Sequence, residues 1–285
     1  MIDLKFSRKD VAVHGEIFSE LKILYDTVTK NKEKGFIMIR LILVAFFLIA
    51  FLILSAIPLL IGEYLIYKND EKKQQEYCLK VAQAMFRMLL RLTGSKITVR
   101  GRERIPEGAV LYVGNHRSYF DILVGYTMVP GLTGFVAKKE METWPILSDW
   151  MRNVNCLFLN RKDIKEGLKT ILEGIEKVKS GVSIWIFPEG TRCQEKDPLK
   201  MLPFKEGSMK IAEKSGCPVI PVAITGTRDI WENHLPFIRP SKITIEFGEP
   251  IYIKELPLAD RKHLGALAQN RILEMLEKEQ KIRRA

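Results

Sequence analysis

Between Arg40 and Glu63 the chain runs for 22 residues, Leu41 to Gly62, without one charged side chain. As a helix rising about 1.5 Å per residue, this run reaches roughly 33 Å, enough for the hydrocarbon core of a bilayer. A central helix of a soluble domain keeps a polar stripe, and this run has none. A membrane helix is expected here, crossing the bilayer or, with Pro58 as a kink, dipping into one leaflet. Next, Tyr77, Val81, Met85, Met88 and Leu92 recur at helical spacing with Lys80, Arg87 and Arg91 nearby. That pattern predicts an amphipathic helix, lying on the membrane or packed on the domain that follows.

The chain of 285 residues is long enough for a sizeable core, and its formal net charge of +11 calls for anionic partners. Nucleic acid, phosphorylated small molecules and acidic lipid all fit that charge, but the concentrated apolar run points to anionic membrane lipid and away from nucleic acid. Four cysteines, Cys78, Cys156, Cys193 and Cys217, are widely spaced, which argues for reduced thiols and against a zinc site or disulfide scaffold. No metal is expected.

After Gly94 short β-rich segments alternate with helical ones, the pattern of an α/β layer fold. Strands are expected at Lys96–Val99, Val110–Val113, Gly134–Ala137, Cys156–Leu159, Ser183–Phe187, Val219–Ile224 and Lys242–Phe247. Helices are expected at Ile164–Lys179, with Leu168, Ile171, Leu172, Ile175 and Val178 as its apolar face, and over Leu258–Arg284. The fold class is therefore α/β, a mixed, largely parallel sheet flanked by helices and preceded by the membrane and amphipathic helices. Residues 1–37 form an extension of unknown role, 38–94 a membrane-associated two-helix region, and 95–285 one domain.

Ligands of open α/β sheets sit beyond the carboxyl ends of the strands. Three such ends carry polar clusters: Asn115 to Asp121, Asn160 to Asp163, and Pro188 to Arg192. In the first, Ser118 reads as a helix N-cap with Asp121 three residues on, a capping box. The same turn can bring the Asp121 carboxylate to the His116 imidazole, holding one tautomer and making His116 a general base. In the third, Gly190 permits close backbone approach and Arg192 offers a fork for phosphate.

Together these clusters resemble the glycerolipid acyltransferase family, specifically the bacterial type of 1-acylglycerol-3-phosphate (lysophosphatidic acid) acyltransferases. Asn115-His116-Arg117-Ser118-Tyr119-Phe120-Asp121 is similar to the family's Asn-His-x-Ser-x-x-Asp block, and Phe187 to Arg192 to its Phe-Pro-Glu-Gly-Thr-Arg block. Leu157-Phe158-Leu159-Asn160-Arg161 and Val219-Ile220-Pro221-Val222-Ala223 resemble two further blocks. Asn155 stands where Gly is common, Asn160 where Asp is, and Cys193 where Ser is frequent, which bears on acceptor specificity.

The resemblance implies a membrane-associated enzyme of phospholipid biosynthesis. It would move a fatty acyl group from acyl-CoA or acyl carrier protein to the sn-2 hydroxyl of lysophosphatidate, giving phosphatidate, with no cofactor. It implies His116 and Asp121 as the catalytic pair, and Arg161, Glu189, Gly190, Thr191, Arg192, Asn115 and Ser118 as substrate-binding residues, with Lys138 and Lys139 as helpers. The same chemistry on glycerol 3-phosphate or another lysolipid is an alternative, and a non-catalytic binder of anionic lipid a further one. Serine-hydrolase chemistry at Ser118 lacks its Gly-x-Ser-x-Gly elbow.

Cations flank the apolar run almost evenly, Lys22, Lys30, Lys32, Lys34 and Arg40 before it and Lys68, Lys72, Lys73 and Lys80 after it. With Met38 as first residue only Arg40 precedes the run, and the charge bias places the catalytic domain on the cytoplasmic face. Met38 is thus expected as an alternative or the true start, and intact-mass measurement of the native protein should show a chain that begins there.

Overall fold

The strands carry apolar residues at consecutive positions because the sheet they form is covered on both faces. A computed structural model describes residues 35, 38–51, 53–54, 57, 59 and 70–284. Seven strands, β1 (Lys96–Arg100), β2 (Leu111–Gly114), β3 (Thr133–Lys138), β4 (Leu157–Leu159), β5 (Ser183–Ile186), β6 (Val219–Thr225) and β7 (Lys242–Phe247), form one sheet in the order β1-β7-β6-β2-β5-β3-β4. Every neighbouring pair is parallel except β6 and β7, so the sheet is mixed and largely parallel. Val110, just before β2, and Tyr112 within it enter one core while Leu111 and Val113 enter the other, and β5 divides Trp185 from Ile184 and Ile186 in the same way.

On the first face lie α2 (Glu71–Leu92), α3 (Phe120–Met128) and α4 (Leu147–Asn153); on the second lie α5 (Ile164–Lys179), α6 (Lys210–Ser215) and α8 (Leu264–Arg284). α2 packs on α3 through Cys78, Ala82, Met85 and Leu89, and Gln83 Nε2 donates to the Tyr126 and Val129 carbonyls at 2.9 and 3.3 Å. Of the two places open to this helix, it takes the one on the domain, and the stripe of Tyr77, Val81, Met88 and Leu92 lies half-buried at the core's margin.

Residues 38–51, here α1, are also helical. Leu41, Phe47 and Phe51 pack toward the core, with the Phe51 ring 5.2 Å from Trp150, while Ile42, Phe46 and Ile49 stand exposed. Among the described residues no helix is long and apolar enough to cross a membrane. The expected kink at Pro58 and the extension over residues 1–37, save Gly35, lie outside the described residues.

Two expectations need correction. α5 spans the expected residues, but Leu168 and Leu172 are exposed, and the side it buries is Thr170, Gly174, Ile175 and Val178. The helix turns its small residues inward. A Cβ at Gly174 would lie 2.8 Å from Ile211 Cδ1, and Thr170 Oγ1 donates to the Phe158 carbonyl at 3.0 Å, so close packing and one hydrogen bond outweigh the apolar stripe. The C-terminal helix is broken in two, a single turn α7 (Leu258–Arg261) and then α8. Arg261 ties that turn back to the Leu256 and Lys254 carbonyls, and Glu206 starts α8 afresh by accepting from Gly265 N at 2.9 Å and Ala266 N at 3.2 Å.

Asn155 adopts a left-handed φ of 62° two residues before β4, and its carbonyl lies where a Cβ at Gly134 would be only 1.8 Å away. The backbone at Asn155 thus favours the Gly common at this place, and its carboxamide is engaged by Lys177 Nζ and Gln75 Oε1 at 3.0 and 3.1 Å.

α8 is tied to β1 and β7 by Glu279, which accepts from Arg100 at 2.6 Å, Thr244 at 2.7 Å and Arg283 at 2.8 Å. Burial alone would raise this carboxyl, but the three donors outweigh it and hold the group below its ordinary 4.5. Its contribution to stability is therefore complete above pH 4.5 and is lost as the pH falls through the folded-state value. Replacing Glu279→Gln is expected to cost about 1–3 kcal/mol in urea unfolding near neutral pH, with the difference from wild type narrowing in acid.

Candidate active site

β2 ends at Gly114, and the next residue decides how the chain leaves the sheet. The Asn115 carboxamide donates to the Ile224 carbonyl at 2.9 Å and accepts from Ile224 N at 2.8 Å, continuing the ladder to β6 with a side chain. His116 is thereby delivered just beyond the strand end. Its N–H donates to Glu189 Oε1 at 2.7 Å, joining the loop after β2 to the loop after β5, and its ring stacks on Phe187 at 4.1 Å.

Asp121, in the first turn of α3, closes the arrangement. Its Oδ2 lies 2.9 Å from His116 Nδ1 and accepts from Arg117 N at 2.7 Å and Ser118 N at 2.8 Å. Its Oδ1 accepts from Thr227 Oγ1 at 2.5 Å, and the residue is 1% exposed. A carboxylate only accepts, so in the tautomer with its proton on Nδ1 the His116 ring would donate to Asp121 and turn the lone pair of Nε2 outward. The His116 side chain keeps 14% of its surface exposed, so the imidazole is within reach of a ligand. The expected cap is displaced by one residue, since Tyr119 and not Ser118 stands at the N-cap of α3, but Asp121 still reaches back to the Arg117 and Ser118 N–H groups and with the same oxygen contacts the His116 ring.

Two members of this site were not found in the sequence, Thr227 and Glu232, from the loop after β6. Glu232 accepts from Ser118 Oγ at 2.8 Å, Tyr119 N at 2.9 Å and Arg192 Nη1 at 3.2 Å. Neither residue stands in a local pattern that marks it; only the return of β6 beside β2 brings them to the His116 turn.

Three expected substrate-binding residues belong to the frame of the site. Asn115 is 1% exposed with its amide engaged by Ile224. Ser118 is fully buried, its Oγ donating to Glu232 and accepting from Phe120 N at 3.0 Å. Glu189 holds the backbone N–H groups of His116 and Leu202, the latter at 2.8 Å, and burial pushes its carboxyl above its ordinary value against those donors.

Around them stand cations. Arg192 pairs with Glu232 and lies 3.7 Å over the Tyr119 ring. Arg161 follows β4, and burial pulls its pKa down. Gly190 holds a left-handed φ of 78° in the turn after β5, with Thr191 exposed beside it. Lys138 ends β3, and the neighbouring Lys139 is paired with Glu142 at 2.7 Å.

The chain matches the Acyltransferase family over residues 96–225. It is 32% identical over 166 residues to a 1-acyl-sn-glycerol-3-phosphate acyltransferase of Cocos nucifera, covering 58% of this chain and 53% of that one. A probable 1-acyl-sn-glycerol-3-phosphate acyltransferase of Mycoplasma pneumoniae is 29% identical over 211 residues, covering 68% of this chain and 77% of its own. The chain thus spans about half the length of the plant relative and three quarters of the bacterial one. A crystal structure of the 1-acyl-sn-glycerophosphate (LPA) acyltransferase from Thermotoga maritima superposes with a TM-score of 0.74 at 27% identity, over 87% of this chain and 97% of that one.

Thr227→Val keeps the shape but leaves Asp121 Oδ1 without its donor in a buried place. A loss of about 1–3 kcal/mol in urea unfolding is expected, more than for Thr191→Val at the exposed neighbouring turn.

Proposed function

We propose, from the site's geometry and the match of residues 96–225 to the Acyltransferase family, that this chain acylates the sn-2 hydroxyl of lysophosphatidate, giving phosphatidate. The donor is a thioester, acyl-CoA or acyl carrier protein, and no cofactor takes part. The observation that carries the reading is the 2.9 Å contact between His116 Nδ1 and an Asp121 carboxylate already fixed by two backbone N–H groups and Thr227.

His116 Nε2 takes the proton from the acceptor hydroxyl as its oxygen attacks the thioester carbonyl. The tetrahedral adduct collapses, the C–S bond breaks, and the thiolate recovers that proton from the imidazolium. Asp121 stabilises the imidazolium in between, and because the acceptor oxygen is itself the nucleophile, no acyl-enzyme forms. Ser118, buried and bonded to Glu232, is left with a structural role. Arg161 supplies positive charge to the acceptor's phosphate, and the Gly190-Thr191 turn borders the glycerol.

The acceptor and product are lipids while the donor travels in water, so the domain works at an anionic membrane surface, on the cytoplasmic face. The exposed apolar residues of α1 and the net charge of +11 support that placement.

Acyl transfer by the detergent-solubilised chain, with lysophosphatidate and glycerol 3-phosphate as acceptors and both thioester donors, tests the reading. Phosphatidate should form from lysophosphatidate, and His116→Ala should lower its rate by about 10²- to 10⁴-fold. Turnover of glycerol 3-phosphate alone would keep the chemistry and replace the acceptor.

A further inference from the structure

Beyond Arg192 the loop after β5 continues from Cys193 to Lys200 as irregular chain. Among the described residues, 194–200 make one backbone–backbone hydrogen bond, Lys200 N to the Asp197 carbonyl at 3.2 Å. Two guanidinium groups supply the donors that the loop's carbonyls otherwise lack. Arg117 Nη1 donates to the Asp197 and Lys200 carbonyls, both at 3.0 Å, and its Nη2 donates to the Glu195 carbonyl. Arg228 Nη1 donates to the Cys193 carbonyl at 3.3 Å and to the same Glu195 carbonyl at 3.0 Å. The loop is folded around two cations.

Arg117 is only 8% exposed, and among the described residues neither arginine has an acid within ion-pair distance. A buried cation without a counter-charge costs free energy that an apolar side chain would not, and two like charges sharing one carbonyl add to that cost. Their effect is positional. Arg117 directly follows His116 and Arg228 directly follows Thr227, the two residues whose side chains meet Asp121. The loop they gather holds the His116 backbone in turn. Cys193 N donates to the His116 carbonyl at 2.8 Å, while Glu189 accepts the His116 N–H at 2.7 Å and, beyond the loop's far end, Leu202 N at 2.8 Å. The peptide groups on both sides of the proposed base are thus held by one loop, and that loop is held by the residue next to the base.

We propose that Arg117, assisted by Arg228, is a positioning residue: by gathering the carbonyls of 195–200 it fixes the loop after β5, and through Cys193 and Glu189 that loop keeps His116 in the orientation acyl transfer needs. Neither arginine touches the reacting atoms. The planar fork of a guanidinium reaches three carbonyls at once, whereas the ammonium of a lysine is a single point, so lysine replaces it only in part. The effect on rate rests on the acyltransferase reading. The ordering of the loop does not depend on it.

The full chain in detergent is compared with Arg117→Ala, Arg117→Lys, Arg228→Ala and the double alanine variant in two measurements. Trypsin cleavage after the exposed Lys196 and Lys200, read by mass spectrometry, reports the loop without any substrate. Acyl transfer to lysophosphatidate reports the base. Arg117→Ala should speed cleavage at these two sites by about 10-fold and lower kcat by about 10- to 100-fold with a smaller change in KM. Arg117→Lys should recover part of each, and added methylguanidinium should slow cleavage and raise kcat for Arg117→Ala but not for wild type. Because both arginines hold the Glu195 carbonyl, the double variant should lose less than the product of the single losses. Glu279→Gln, remote from the site, should keep the wild-type kcat and loop cleavage. Should Arg117→Ala fail to fold, seen as cleavage throughout the chain, Arg117→Lys and Arg228→Ala carry the same comparison. Unaltered loop cleavage, or a freed loop with unaltered kcat, would overturn the proposal. If wild type acylates nothing while Arg117→Ala frees the loop, the acyl-transfer reading falls and the arginines' hold on the loop stands. If wild type makes phosphatidate and Arg117→Ala keeps its kcat, the positioning role falls and the reading stands.

Discussion

The Asp121 carboxylate is the interaction on which the rest of the site depends. It is buried, and four groups from two stretches of chain meet it: the His116 ring with the Arg117 and Ser118 backbone, and Thr227. A buried carboxylate is tolerated only when it is so satisfied, because its lost hydration has to be replaced by fixed dipoles. The requirement is also a constraint on shape. Meeting it forces the turn after β2 to fold tightly and brings the loop after β6 against it. It leaves the imidazole only one nitrogen to work with.

The sheet order supplies the frame in which that constraint can be met. β2 lies between β5 and β6, so the loops leaving those two strands flank the His116 turn on either side. Each side contributes one acid. Glu189 from the β5 side accepts the His116 N–H, and Glu232 from the β6 side accepts Ser118 Oγ and Tyr119 N. The turn is therefore held from three directions by carboxylates. It is a strongly hydrogen-bonded piece of backbone, and under the proposed function it would keep the base in one orientation.

That arrangement makes the neighbourhood acidic at its centre and basic at its margin. Arg192 answers Glu232 directly, while among the described residues Arg161 and Lys205 stand near Gly190 with no acid within ion-pair distance. An anionic acceptor would complete this balance without disturbing the inner carboxylates. The same division separates the protein's overall net charge of +11 from the few cations whose position is fixed by the turn.

Much of the fold was legible because its physical signals are local. Consecutive apolar residues in short segments marked strands buried on two faces, and the His116 to Asp121 spacing marked a turn able to bring a carboxylate to an imidazole. Legibility failed where packing overrode pattern. α5 buries Thr170 and Gly174 in preference to Leu168 and Leu172, since only a small residue lets it approach Ile211, and α8 starts anew at Glu206, a residue about sixty positions earlier. The sequence by itself determined the strand and helix periods, the paired His116 and Asp121, and the glycine at position 190, all set by bonds or contacts within a few residues. Only the tertiary structure decided that Thr227, Glu232 and Lys205 join them, because long-range strand pairing, with no local signature, brings those residues to the same end of the sheet.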